Sequence, residues 1–280
     1  MIHFVKNKFV QDRDAKISVF DLTVLRAYGV FDYLRTYNQK PFHLHDHILR
    51  LKKSARLVGL EPRLSFDQIE KIALSVLAKN INSKTKNDFG LKIILTGGQT
   101  TDGILPSSRA ELLVLTTIFK SYPESYFNQG VKLISWPLTR LLPQAKSLVY
   151  LNAIIGLKQA QKEKAFEILY LDGDKNILEA ATANFFMVKN KKLYTPPDDK
   201  ILAGVTRKVI FSLAKKLNIP VFEKRINFNE LTQAEEAFIT ASNKEVLPVR
   251  QVDNIKIKNN FGPITEKIQK SFFDLAGKLE

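Results

Sequence analysis

The chain has 280 residues, 45% hydrophobic and 25% charged, a balance that suits a soluble globular protein of one large or two moderate domains. Cysteine is absent, which excludes disulfides, a thiol nucleophile and thiolate metal sites and fits a reducing cytoplasm. The formal net charge of +15 raises nucleic acid as a partner, but the lysines are scattered, as in KKSAR, KQAQKEK and KNKK, with no basic block interleaved with aromatics. Such a surface serves solubility or attracts anionic small molecules, so no nucleic-acid partner is expected.

The N-terminal MIHFVKNKFVQDRD becomes charged too soon for a signal peptide, and no apolar run reaches the roughly 18 residues of a membrane span. The expected location is cytoplasmic, with no membrane partner. Residues 2–10 alternate as a short strand, and 16–21 form another. A strand over 30–37, a turn over 38–40 and a short strand lead into a helix over 46–58, with Ile48, Leu49, Leu51, Ala55 and Val58 inward and Gly59 as its stop. Ser65 and Gln68 make a capping box for the next helix, whose buried stripe is Ile69, Ile72, Ala73, Val76 and Leu77. Strands over 90–96 and 111–119 flank the glycine-rich GGQTTDGILPSS. These elements predict a smaller α+β domain over 1–120, a linker over 121–130 (SYPESYFNQG) and a larger domain over 131–280.

In that larger part, strands are expected at 131–135, 166–171, 183–188, 192–194, 221 and 237–240, with helices over 205–217 and 264–275. After Pro143, a helix is expected from Ser147 onward, with Leu148, Leu151, Ile155 and Leu157 at helical spacing and a small-residue face of Ala153, Gly156 and Ala160. Lys146 sits at its threshold. Desolvation at such a place lowers an ammonium's pKa, which is what an amine nucleophile needs, although a lone lysine there is more often simply solvated.

Three further features bear on chemistry. His43, His45 and His47 fall within five residues, but no HExxH glutamate is present and Pro41 and Phe42 place His43 before the helix, so capping or packing is expected and no metal. The loop 96–103 (TGGQTTDG) is neither a P-loop nor a GxGxxG opening a helix, and reads as a mobile loop near a ligand. At 201–207 (ILAGVTR), glycine and threonine precede an amphipathic helix whose first amides serve equally as a phosphate site or as an ordinary helix start.

Taken together these segments resemble the class IV aminotransferases, the fold-type IV pyridoxal phosphate enzymes that include D-amino-acid and branched-chain aminotransferases and aminodeoxychorismate lyase. The resemblance is carried by GVFDYLR at 29–35, HILRL at 47–51, AKSL at 145–148, ILEAATANFF at 177–186, LYTPP at 193–197, ILAGVTR at 201–207 and FITASNKEV at 238–246. It runs over nearly the whole chain in matching order and spacing. It implies a two-domain α+β fold of the D-amino-acid aminotransferase type, pyridoxal 5'-phosphate at the domain interface, and a homodimer whose neighbouring subunit completes the substrate side.

The resemblance also implies roles. Lys146 is the Schiff-base lysine that holds the cofactor and shuttles a proton, and Glu179 faces the pyridine nitrogen. Arg50 grips the phosphate, joined by the Val205 and Thr206 amides after Gly204 and by Thr240 or its neighbours Ala241 and Ser242. Asn184 belongs to the same cofactor set. Tyr150 could reach the cofactor, although the family's tyrosine usually lies one residue further along. The substrate side departs from the family: Phe31, Gly97 and Gln99 occupy the positions of the tyrosine, arginine and histidine that trap the substrate carboxylate in D-amino-acid enzymes. Branched-chain enzymes have glycine where Tyr33 stands, and their arginine after the 90–96 strand is missing. A replacement cation is therefore expected beside Phe31, with Arg26 and Lys92 as first candidates, Arg35 as an alternative and Arg140 as a weaker one.

The expected activity is transamination between an amino acid, of D- or branched-chain type, and a 2-keto acid by a ping-pong mechanism. The alternatives are a 4-amino-4-deoxychorismate lyase, in which the same lysine eliminates pyruvate, and a basic binding protein that retains the fold without catalysis.

Overall fold

The alternating N-terminus folds as a hairpin, β1 (Ile2–Val5) and β2 (Lys8–Gln11), because Lys6 and Asn7 take φ of 50° and 59°, as a tight two-residue turn demands. Residues 16–21, expected as a strand, are a loop leading into α1 (Leu22–Arg26), capped by the Asp21 carboxylate accepting from the Thr23 amide. There follow β3 (Gly29–Tyr37), β4 (Lys40–Pro41), α2 (Leu44–Leu57), α3 (Phe66–Asn80), β5 (Phe89–Thr96) and β6 (Leu112–Ile118). The capping box at Ser65 and Gln68 forms as the sequence predicts.

This computed structural model describes residues 1–81 and 86–278, which divide into two compact units. The first comprises Met1–Lys120 with Ala145–Val149. Its sheet runs β2-β1-β6-β5-β3-β4, and α2 and α3 bury Ile48, Leu51, Ala55, Ile69, Ala73 and Val76 with Val30, Leu34, Leu91, Ile93 and Val114 of the strands. Leu49, expected inward, is 49% exposed. The segment around Lys146, expected as the start of a helix in the larger domain, instead extends the free edge of β3. The Phe31 amide donates to the Lys146 carbonyl at 2.9 Å, and the Leu148 amide to the Gly29 carbonyl at 3.0 Å. An unpaired edge is thereby satisfied, which is why these residues leave the neighbouring helix pattern.

The second unit comprises Ser121–Gln144 and Tyr150–Lys278. The stretch read as a linker contains a helix, α4 (Glu124–Gln129), which buries Phe127. Then come β7 (Val131–Pro137), α5 (Leu151–Lys162), β8 (Glu167–Leu171), β9 (Asn176–Ala180), β10 (Asn184–Lys189), β11 (Lys192–Thr195), α6 (Val205–Lys216), β12 (Val221–Glu223), β13 (Ile226–Asn227), β14 (Glu236–Ala241), β15 (Glu245–Val252), β16 (Ile255–Lys256) and α7 (Pro263–Gly277). Nine of these strands order as β12-β11-β10-β14-β15-β7-β8-β9-β13, with β16 paired to β15. The sequence reading missed β9, β13, β15 and β16. In β15 the residues Glu245 to Val249 are all buried and Pro248 interrupts them, so no period-two alternation shows.

Candidate active site

In the first unit, β3 alternates so that Val30, Asp32 and Leu34 share the helix-covered face, and a carboxylate placed there must be paired. Asp32, fully buried, accepts from Arg50 Nε at 2.8 Å and Nη2 at 2.7 Å, and its Oδ1 lies 2.7 Å from His47 Nδ1. Burial pushes the Asp32 carboxyl up, but the Arg50 and His47 contacts outweigh it and hold it well below the usual carboxylate range. Burial lowers His47 below its ordinary value, against the pull of Asp32. Arg50 is therefore the permanent cation of the group, and His47 contributes as a neutral donor. The three clustered histidines go to three separate carboxylates, His43 to Asp46, His45 to Glu70 and His47 to Asp32. Among the described residues no group of His, Asp or Glu is arranged to hold a metal ion.

On the two sides of β3, two lysines reach one ring. Lys146 Nζ lies 4.7 Å from the Phe31 ring centroid and Lys92 Nζ 5.2 Å, within cation–π range. The Lys146 backbone is fixed at both ends, its amide donating to Ser54 Oγ at 3.1 Å and its carbonyl accepting from Phe31. Tyr33, the bulky residue at the position where branched-chain enzymes have glycine, passes over β5, since a Cβ on Gly90 would meet its hydroxyl at 2.5 Å. At Gly97 a Cβ would meet the Tyr28 carbonyl oxygen at 2.5 Å, so the backbone itself excludes an arginine there.

The other candidate cations are engaged elsewhere. Arg35, 9% exposed, donates from Nε to the Thr36 carbonyl and from Nη2 to Asp88 at 3.4 Å, with its guanidinium 3.6 Å from the Phe119 ring centroid and 4.1 Å from that of Tyr37. Arg26 is exposed and donates to the adjacent Leu25 carbonyl. Arg140 lies in the second unit, where its Nε donates to Glu179 Oε1 at 3.1 Å and its Nη2 to the same oxygen and to the Pro143 carbonyl. This is the partner sequence reasoning missed, because nothing in a loop arginine's spacing announces the carboxylate it will meet.

In the second unit Glu179, 5% exposed, also accepts from the Leu202 amide at 3.2 Å and from Asn184 Nδ2 at 3.3 Å, and Asn184 donates again to the Leu202 carbonyl at 2.8 Å. The Asn184 amide is thus committed to Glu179 and the 202 turn. A Cβ on Gly204 would lie 2.0 Å from Asn184 Oδ1, so glycine is required where α6 begins. The α6 N-cap, Gly204, offers no side-chain cap to the amides of Val205 and Thr206, which leaves a twelve-residue helix with an anion-binding end. Thr240 Oγ1 donates to the Glu245 carbonyl at 2.6 Å and closes the β14–β15 turn, while Ala241 and Ser242 remain half-buried. Tyr150 is the N-cap of α5. Within the second unit, a buried carboxylate with convergent donors and an uncapped helix start beside an obligatory glycine have the chemistry to meet a ring nitrogen and a phosphate.

Residues 29–252 match the family model of amino-transferase class IV. The chain is 30% identical over 286 residues to a branched-chain-amino-acid aminotransferase of Pseudomonas aeruginosa, covering 98% of this chain and 92% of that protein. It is 30% identical over 285 residues to a D-alanine aminotransferase of Listeria monocytogenes, covering 99% and 98%. The crystal structure of a branched-chain aminotransferase from Thermoproteus uzoniensis with norvaline superposes with a TM-score of 0.91 at 27% identity, covering 100% of this chain and 96% of that one. The chain belongs to the class IV aminotransferase family and has its fold-type IV architecture. It is accordingly an aminotransferase, moving an amino group between an amino acid and a 2-keto acid.

Proposed function

We propose that this aminotransferase uses pyridoxal 5'-phosphate, with Lys146 as its covalent anchor and proton carrier, and that Lys92 receives the substrate carboxylate. The observation that carries the reading is the lysine's placement: its backbone is tied at both N–H and C=O, and its ammonium rests over Phe31. When bound, the cofactor supplies the carbonyl that takes up the amino group and a ring that withdraws electrons from the reacting carbon. Lys146 Nζ takes the proton from that carbon and returns it on the other side of the exchange. Glu179, supported by Arg140, Asn184 and the Leu202 amide, holds the proton on the ring nitrogen. Arg50, oriented by Asp32, and the amides of Val205 and Thr206 hold the phosphate, together with Ala241 and Ser242.

Among the four candidate cations, Lys92 is the one whose position beside Phe31 supports a role in orienting an acid substrate. The reading extends to a homodimer, supported by large apolar side chains left at the surface: Leu151, Ile154 and Ile155 on α5, and Phe20, Val24, Ile104 and Leu105 in the first unit. Testing D- and L-amino acids against pyruvate and 2-oxoglutarate with the cofactor-loaded chain decides the activity. Transfer confined to one stereochemical series of branched-chain or small donors is expected, and absence of transfer from every donor would overturn it.

A further inference from the structure

Lys244 is 3% exposed, in the turn between β14 and β15, which makes it an unusual lysine in a chain whose other lysines are largely at the surface. Its ammonium lies 3.2 Å from Glu167 Oε2 and donates to Thr182 Oγ1, and the Thr182 hydroxyl donates to Glu167 Oε2 at 2.9 Å. Phe166 and Tyr122 present their rings to the same ammonium, with centroids at 5.7 Å and 6.0 Å. Glu167, first residue of β8, is 2% exposed, and among the described residues its Oε1 has no hydrogen-bond partner.

A buried ion pair with one orphan oxygen is a poor device for stability, because desolvation of both charges offsets most of their attraction. Its connections point to another use. The turn that carries Lys244 also carries Ala241 and Ser242, and the Lys244 amide donates to the Ala241 carbonyl at 3.0 Å. Next to it Glu245 takes φ of 57°, a left-handed conformation that a non-glycine residue holds only under constraint. Thr182 belongs to the segment between β9, which bears Glu179, and β10, which opens with Asn184, and that segment is closed by the Ala180 amide donating to the Ala183 carbonyl at 2.8 Å. One ammonium thus joins the turn offering Ser242 to the segment that follows Glu179.

We infer that Lys244 is a positioning residue that locks the 241–245 turn onto the 180–183 segment, so that the phosphate-facing turn keeps its shape before any cofactor arrives. The inference rests on the proposed cofactor reading. Its consequence is selective: the phosphate end should lose its hold when the lysine is removed, while the pyridine end, held by Glu179, should not.

The test compares wild type, Lys244→Met, and the double variant Lys244→Met with Glu167→Gln, which removes both charges so that neither is left buried alone. Dissociation constants for pyridoxal 5'-phosphate and for unphosphorylated pyridoxal are read by fluorescence, and amide hydrogen exchange at 241–245 is read on the cofactor-free chain. In both variants, at least a roughly tenfold rise for the phosphorylated ligand is expected, with pyridoxal within about twofold of wild type and faster exchange across the turn. Wild-type affinity and exchange in the double variant would overturn the inference alone, since the lysine would then only balance Glu167. A parallel loss for both ligands would overturn it too, by showing a general loosening. A wild-type chain that binds no pyridoxal 5'-phosphate would overturn the underlying reading and this inference with it.

Discussion

Phe31 shows how one side chain can organise two charges. Its ring receives Lys146 from the segment paired along one edge of β3 and Lys92 from β5 on the other, each ammonium within cation–π range of the same ring. In the proposed reading, a carboxylate approaching this face meets Lys92 in the part that the resemblance gives to a tyrosine, an arginine and a histidine in D-amino-acid enzymes. Lys92→Met is expected to raise KM for both amino donor and keto acceptor by about ten- to a hundredfold, the loss of a charged hydrogen bond of about 1.5 to 3 kcal/mol, with the cofactor spectrum unchanged. Arg26→Ala, by contrast, should leave both constants near wild type, since its guanidinium is exposed and turned to the Leu25 carbonyl. Steady-state kinetics on the two variants checks the pair, and unaltered KM values in Lys92→Met would return the carboxylate to some other group.

At the scale of elements, α5 is the instructive case. Its sequence shows large apolar residues at helical spacing and a stripe of small ones, and the larger set is the natural choice for the core. The fold buries the small face instead: Ala153, Gly156 and Ala160 lie inward, a Cβ on Gly156 would meet Ile168 at 2.5 Å, and Leu151, Ile154 and Ile155 are 68%, 50% and 48% exposed. In the proposed homodimer these residues are covered by a second copy. Ile154→Glu with Ile155→Glu should therefore halve the mass measured by light scattering, and a retained dimer would show that this face is not the contact. Periodicity alone cannot tell a face turned to the core from one turned to another subunit. Nor could it show that residues 146–148 pair with β3, because that pairing joins positions remote in sequence through backbone bonds that carry no side-chain signature. Motifs with a local mechanism were legible: the capping box at Ser65 and the helix start after Gly204. Partners supplied from elsewhere were not, which is why Asp32 for Arg50 and Arg140 for Glu179 emerged only from the fold.

For the molecule as a whole, the buried group of Asp32, His47 and Arg50 ties stability to pH. Burial holds His47 below its ordinary value of 6.5, so the folded chain keeps the ring neutral while the unfolded chain protonates it. The unfolded state then binds more protons, and the stability present above about pH 6.5 is lost on acidification toward the lower folded value, by at most about 1.4 kcal/mol per pH unit for one proton. Asp32, lowered by Arg50 and His47 against its burial, adds its share only below the ordinary carboxylate range. Urea midpoints at about pH 7.5 and about pH 5 should fall further for wild type than for His47→Gln, and equal falls would mean that another group carries the dependence.

The account depends most on Lys146. Incubation with pyridoxal 5'-phosphate, reduction with borohydride and peptide mass mapping tests it most directly. The expected result is a pyridoxyl adduct on the peptide containing Lys146, lost in Lys146→Ala. An adduct on Lys92, Lys244 or a surface lysine with Lys146 unmodified would contradict it.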